Sequence, residues 1–112
     1  MLVAATCISP TSARDGDIPQ REQNMVTHLA QATLLATRCG RLSYNDRMER
    51  QLLRKVEAKI DVEPWQSFYQ RRLVDLAEVI FELLEKAACK AALQLYGPRG
   101  ENVPNMILKK TR

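Results

Sequence analysis

Residues 64–96, PWQSFYQRRLVDLAEVIFELLEKAACKAALQLY, decide the predicted fold. Apolar side chains recur there every three or four residues, at Tyr69, Leu73, Leu76, Ile80, Leu83 and Ala87. This spacing places them on one face of a helix. Pro64 fits the first turn of a helix, and Gly97 followed by Pro98 is a stop signal. The segment therefore predicts a single helix of 33 residues, about 50 Å long.

Two shorter helices are predicted before this segment. The first covers residues 20–39, ends at Gly40, and has an apolar face formed by Met25, Leu29, Ala32, Ala36 and Cys39. The second covers residues 44–60, begins after Ser43, and buries Met48, Leu52, Val56 and Ile60. Short connections favour antiparallel neighbours. The predicted fold is all-α, a three-helix up-down-up arrangement with a long C-terminal helix.

The two ends of the chain lack helical periodicity. Residues 1–19 are rich in Ser, Thr, Pro, Gly and Asp, which predicts a disordered leader. Residues 97–112 contain two prolines and two glycines and carry a net charge of +3, which predicts a flexible basic tail. The helical domain between them is expected to cover residues 20–96.

The composition is typical of a globular chain, with 46% apolar and 27% charged residues. No apolar run approaches the roughly 20 residues that span a bilayer, so no membrane partner is expected. The three cysteines, Cys7, Cys39 and Cys89, are odd in number and widely spaced. This pattern predicts reduced thiols in a cytoplasmic protein.

Charge is distributed unevenly along the chain. Residues 38–59 carry a net charge of +4, and residues 60–85 carry −4. Arg47, Arg50 and Arg54 lie on one face of the second predicted helix. They are suited either to phosphate contacts or to ion pairs with the acidic side of the long helix, in the same chain or in a second one, and we favour the ion pairs.

Chemistry-bearing motifs are lacking in the sequence. His28 is the only histidine, and no CxxC, HxxxH or HExxH pattern occurs. His28 and Cys39 lie about 16 Å apart along a straight helix, too far to ligate one metal. The sequence therefore predicts no enzyme activity, no catalytic residue, no cofactor and no metal.

The length of the long helix predicts a partner. Two helices of 25–30 Å cover little more than half of a helix of about 50 Å, yet its apolar face continues to the end. The uncovered part is the predicted partner interface, formed by Leu83, Leu84, Ala87, Ala91 and Leu95. We predict a small protein–protein interaction module, an adaptor or regulator, that forms a homodimer or binds another helical protein.

The alternative prediction is a regulator that binds nucleic acid. Its phosphate contacts would come from the second helix and the basic tail, through Arg47, Arg50, Arg54, Lys109, Lys110 and Arg112. The charge of residues 1–96 is only +1, which weakens this alternative relative to the interaction module.

Overall fold

The computed structural model describes residues 18–110, so most of the predicted leader and the last two residues lie outside it. The elements in chain order are α1 (Gln20–Cys39), β1 (Leu42–Tyr44), α2 (Asp46–Val56), α3 (Trp65–Ile80), α4 (Glu85–Tyr96) and β2 (Ile107–Lys109). The prediction of an all-α fold with three helices was wrong, because the described chain contains four helices and a two-stranded sheet. None of the helices in this range has the length and apolarity required to cross a membrane.

The centre of the fold is α1 rather than the long C-terminal segment. Its buried residues lie on almost every side of the helix: Val26, Leu29, Ala30, Ala32, Leu34, Leu35, Ala36 and Cys39. A helix that is apolar on nearly all sides is one that other elements surround. Accordingly, α1 packs against α2, α3, α4 and β1.

The predicted 33-residue helix is two helices, because the chain leaves helical geometry between Ile80 and Glu85. Leu84 is extended, with φ −67° and ψ 150°. The carbonyl of Leu83 accepts a hydrogen bond of 2.9 Å from Nε of Arg38, near the end of α1. α3 and α4 then pack separately on α1, and α4 buries Ala88, Ala92 and Tyr96.

The length of α1 explains this break. Its 20 residues extend only about 30 Å. A straight helix of about 50 Å would leave its distal apolar face in water, whereas two shorter helices both bury their apolar faces on α1. The turn contains no Gly or Pro, so tertiary burial rather than a local breaker ends α3.

α2 is shorter than predicted at both ends. Its N-cap is Asn45, whose side-chain oxygen accepts a hydrogen bond from the amide of Met48, and Ser43 belongs to β1. The helix ends at Val56, because Glu57 adopts the left-handed conformation with φ 58°. Residues 57–64 then lead back to the start of α3.

The segment predicted as a flexible tail contributes to the core. β2 pairs antiparallel with β1, with Leu42 opposite Lys109 and Tyr44 opposite Ile107. Val103, Met106 and Ile107 are buried. Amides in this segment also donate to the carbonyls of Gln94 and Leu95, which lie in the last turn of α4 and have no helical partner. At the other end Ile18, predicted within the leader, is buried as well.

Candidate binding surfaces

The predicted interface on the distal half of the long helix is only partly exposed. Leu84 is 76% exposed, and Ala87 is exposed too. Leu83, Ala91 and Leu95 instead pack against the main core, because α4 lies on α1. The structure therefore leaves two of the five predicted interface residues open to solvent.

Exposed apolar and acidic side chains are combined on the outer side of α3 and at its end. We call this surface the acidic face; all of its residues are exposed, and they are Val74, Asp75, Glu78, Val79, Phe81 and Glu82. Asp75, Glu78 and Glu82 form one row, since they are three and four residues apart. Val74 and Phe81 border this row on one side, and Val79 borders it on the other.

The apolar side chains of the acidic face are exposed to solvent. Val74 and Val79 are each 64% exposed, and Phe81 is 46% exposed. Together with Leu84 they are four of the seven large hydrophobic side chains that are exposed within residues 18–110. A shallow hollow of about 330 Å³ lies beside Val74, and its other lining residues are Ser67, Gln70, Arg71 and Asp75. Exposed apolar side chains next to charged ones are typical of a protein contact site.

α2 carries a basic face formed by Arg47, Arg50 and Arg54, which are all exposed. None of the three side chains forms a hydrogen bond or ion pair with a residue in the range 18–110, so the ion pairs favoured from the sequence are not formed there. The nearby carboxylate of Glu49 accepts a hydrogen bond of 2.6 Å from the hydroxyl of Tyr44. Burial, and then this carboxylate, raises the pKa of Tyr44 well above its ordinary value.

A pocket of about 830 Å³ lies between α2 and the segment that follows it. Leu53, Ala58 and Ile60 supply its apolar lining, and charges of both signs surround them, among them Arg50 and Asp61. This mixture of charges gives the pocket no preference for a ligand of one sign.

The two tail lysines lie at a different pocket. Lys109 and Lys110 line a cavity of about 410 Å³, which we call the basic pocket; its other lining residues are Cys39, Arg41, Leu42, Cys89 and Leu93. No Asp or Glu is among these lining residues. Arg112 lies outside the described range. The phosphate contacts predicted as one set are thus divided between the basic face of α2 and the basic pocket.

Cys39 and Cys89 are joined by a disulfide, with their Cα atoms 4.9 Å apart. The prediction of reduced thiols was wrong for this pair, and Cys7 lies outside the described residues. Cys39 is fully buried at the end of α1, whereas Cys89 on α4 is partly exposed at the basic pocket. The cysteines are 50 residues apart, and only the turn between α3 and α4 brings them together, so their spacing gave no signal.

His28 belongs to a polar cluster between α1 and the end of α4. Its Nδ1 lies 2.9 Å from the hydroxyl of Tyr96, which donates to Oε1 of Gln31 at 2.7 Å. Because the hydroxyl proton goes to Gln31, Nδ1 of His28 is the donor to Tyr96. Burial lowers the pKa of His28 and raises the pKa of Tyr96. The cluster holds α4 against α1 and contains no unpaired nucleophile.

We expect the fold to lose stability as pH falls below about 6.5, the ordinary pKa of histidine. The folded state lowers the pKa of His28, so the unfolded chain binds the proton more readily. This contribution is fully present above about pH 6.5 and is lost as pH falls toward the folded pKa. Midpoints of urea unfolding measured between about pH 7.5 and 5.5 test the contribution of His28, since the chain has no second histidine. His28→Gln keeps a hydrogen-bond donor for Tyr96 and should make the urea midpoint less dependent on pH. An identical pH dependence in the variant and the parent protein would contradict this role of His28.

No protein family, curated protein or solved structure matches this chain. Within residues 18–110, no three His, Cys, Asp or Glu side chains are grouped so that they could hold a metal ion. The functional argument therefore depends on the acidic face, the basic face of α2 and the basic pocket.

Proposed function

We propose that this protein is a small helical interaction module, an adaptor or regulator, whose acidic face binds a basic amphipathic helix of another protein. The supporting observation is the combination of Val74, Val79 and Phe81, all largely exposed, with a row of three carboxylates. A helix with lysine or arginine beside leucine would cover the apolar side chains and neutralise the row. The proposed role is binding rather than catalysis.

Charge complementarity favours such a partner over a second copy of this chain. In a two-fold symmetric contact through the acidic face, the same row of carboxylates would meet itself, and like charges in apposition cost several kcal/mol. The homodimer predicted through the distal half of the long helix has less support, because three of its five interface residues, Leu83, Ala91 and Leu95, pack partly against the core. Leu84 and Ala87 remain as its exposed residues, so a homodimer is the alternative that light scattering decides.

The expected result is that a labelled amphipathic peptide of leucine and lysine, about 18 residues long, binds the full chain. Its counterpart of leucine and glutamate should not bind. Fluorescence anisotropy at about 50 mM salt measures both, and added salt should weaken the binding. Glu78→Gln with Glu82→Gln should weaken binding about 5–10-fold, which corresponds to two partly screened charge pairs.

Two further variants separate this surface from its alternatives. Val79→Ser should weaken peptide binding, whereas Arg47→Gln with Arg50→Gln should not. Leu84→Ser, which adds no charge, should leave peptide binding unchanged and would alter the mass in light scattering only if the predicted homodimer forms. Equal affinity for the two peptides, or no effect of the carboxylate variants, would contradict the proposal.

The second candidate function is nucleic-acid binding by the basic face of α2. The observation that favours it is that Arg47, Arg50 and Arg54 are exposed and have no ion-pair partner within residues 18–110. Three arginines on one helical face suit contacts to successive phosphates. The same anisotropy assay with a DNA duplex distinguishes the candidates, because no binding at about 50 mM salt excludes this one.

The cytoplasm is the compartment we propose. Its support is the sequence, since three widely spaced cysteines in 112 residues lack the density of a secreted disulfide scaffold. Cell fractionation tests this location directly. In the cytoplasm, disulfides are usually transient or redox-active, which directs attention to the Cys39–Cys89 pair.

A further inference from the structure

We propose that the Cys39–Cys89 disulfide is a site of reversible exchange with anionic thiols, and that the basic pocket selects them. A thiol that carries a carboxylate, phosphate or sulfonate is the class of ligand that the pocket fits. The proposal does not depend on the acidic face, so the two can fail separately.

The geometry exposes one sulfur to a ligand. Cys39 is fully buried, whereas Cys89 is partly exposed on the side of α4 that also carries Glu85, Lys86 and Leu93, at four, three and four residues from it. A thiol in the pocket therefore reaches Sγ of Cys89. Leu93, which is 36% exposed, provides an apolar contact for the carbon chain of the ligand.

Three cations from two segments of the fold line the pocket together with Cys89. Arg41 follows α1, Lys109 belongs to β2, and Lys110 follows it; all three line the pocket. The sheet register places Lys109 opposite Leu42, which fixes the lysine beside the end of α1. A carboxylate, that of Glu85, lies one helical turn before Cys89 and close to Gly40, but it does not line the pocket.

The exchange proceeds in two balanced steps. A ligand thiolate attacks Sγ of Cys89, a bond forms between the two sulfurs, and the Cys39–Cys89 bond breaks, with its electron pair leaving on Sγ of Cys39. A second ligand thiolate then attacks the ligand sulfur of this mixed disulfide and releases the Cys89 thiolate. In sum, the protein disulfide is reduced to two thiolates and two ligand thiolates are oxidised to one ligand disulfide. The reverse steps form the protein disulfide again.

Positive charge accelerates the first step in two ways. Cations around a cleft raise the local concentration of an anionic reactant and hence its rate of encounter. Arg41, which lines the pocket together with Cys39, also favours the thiolate of the leaving sulfur and so opposes the effect of its burial. A neutral thiol gains only the second effect. Charge on the thiol should therefore control the rate.

The experiment uses the full chain with Cys7→Ser, so that only the disulfide can react. The probes are 2-mercaptoethanesulfonate, an anion, and 2-mercaptoethanol, which is neutral, at equal thiolate concentration. Acid-quenched samples analysed by mass spectrometry give the rate of mixed-disulfide formation and the cysteine that carries the adduct. At low salt the anion should react about ten-fold faster, and the two rates should converge at about 0.5 M salt.

Charge-reversal variants attribute this preference to the pocket. Lys109→Glu with Lys110→Glu should abolish or reverse it, and Arg41→Glu should reduce it. These three side chains are exposed, so the fold should tolerate the changes, and circular dichroism checks this. Arg50→Gln with Arg54→Gln is the matched control and should not alter the ratio. Equal rates for the two thiols, an adduct on Cys39, no disulfide in the purified chain, or an unchanged ratio after charge reversal would overturn the proposal.

Discussion

Leu29→Ala is expected to destabilise the fold by about 2–5 kcal/mol, the range for truncating a buried leucine. Leu29 is fully buried in α1 and belongs to the main core cluster, to which α3 and α4 also contribute. The substitution removes packed methyl groups and leaves a cavity that a helix enclosed on most sides cannot close. A change at the centre of the fold therefore affects both halves of the long C-terminal segment.

The matched control is Leu84→Ala, the same chemical change at a side chain that is 76% exposed. Its expected cost is within about 0.5 kcal/mol, as for surface substitutions in general. Urea unfolding of the two variants measures the difference directly. A larger loss for Leu84 than for Leu29 would mean that the long segment, not α1, is the structural centre.

Local signals in the sequence were sufficient to predict the bounds of α1, the helix that is followed by Gly40. The first predicted helix, residues 20–39, is confirmed as α1, and Gly40 adopts the left-handed conformation with φ 78° that its capping role requires. Pro64 likewise immediately precedes α3. These boundaries could be predicted because each depends on residues within one helical turn.

The features that could not be predicted from the sequence depend on contacts between residues that are far apart in the chain. The turn between α3 and α4 depends on a hydrogen bond from Arg38 to Leu83, 45 residues away. The sheet pairs Leu42 with Lys109, and no hairpin spacing connects two strands so far apart. The apolar spacing of residues 64–96 was read correctly as helical. It does not reveal whether a partner or α1 covers that face.

The basic face of α2 was easier to predict from the sequence than the apolar partner interface. Exposed charges need no particular neighbour, so the helical spacing of Arg47, Arg50 and Arg54 was enough to place them together on one face. The apolar residues Leu83, Ala91 and Leu95 were assigned to a partner, but the core of the same chain partly covers them. The disulfide and the basic pocket depend on the turn between α3 and α4, so they could not be predicted without it.

Ile107→Ala is expected to cost about 2–5 kcal/mol, although its segment resembles a flexible terminus in sequence. Ile107 is fully buried in the main cluster, and β2 places it opposite Tyr44. Successive side chains of a strand point to opposite faces, so Leu108 leaves the core and is 36% exposed.

Leu108→Ala is therefore the control, since it truncates the neighbouring apolar residue of the same strand. We expect it to cost less than about 1 kcal/mol, because little of the removed surface is packed. Urea midpoints of both variants measure the contrast, and circular dichroism verifies that α4 is retained. Equal small losses would mean that the tail does not pack in solution, which would also remove Lys109 and Lys110 from the basic pocket. A large loss for Ile107 alone would establish that the tail belongs to the folded unit, and that the lysines near Cys89 are held in place by the core.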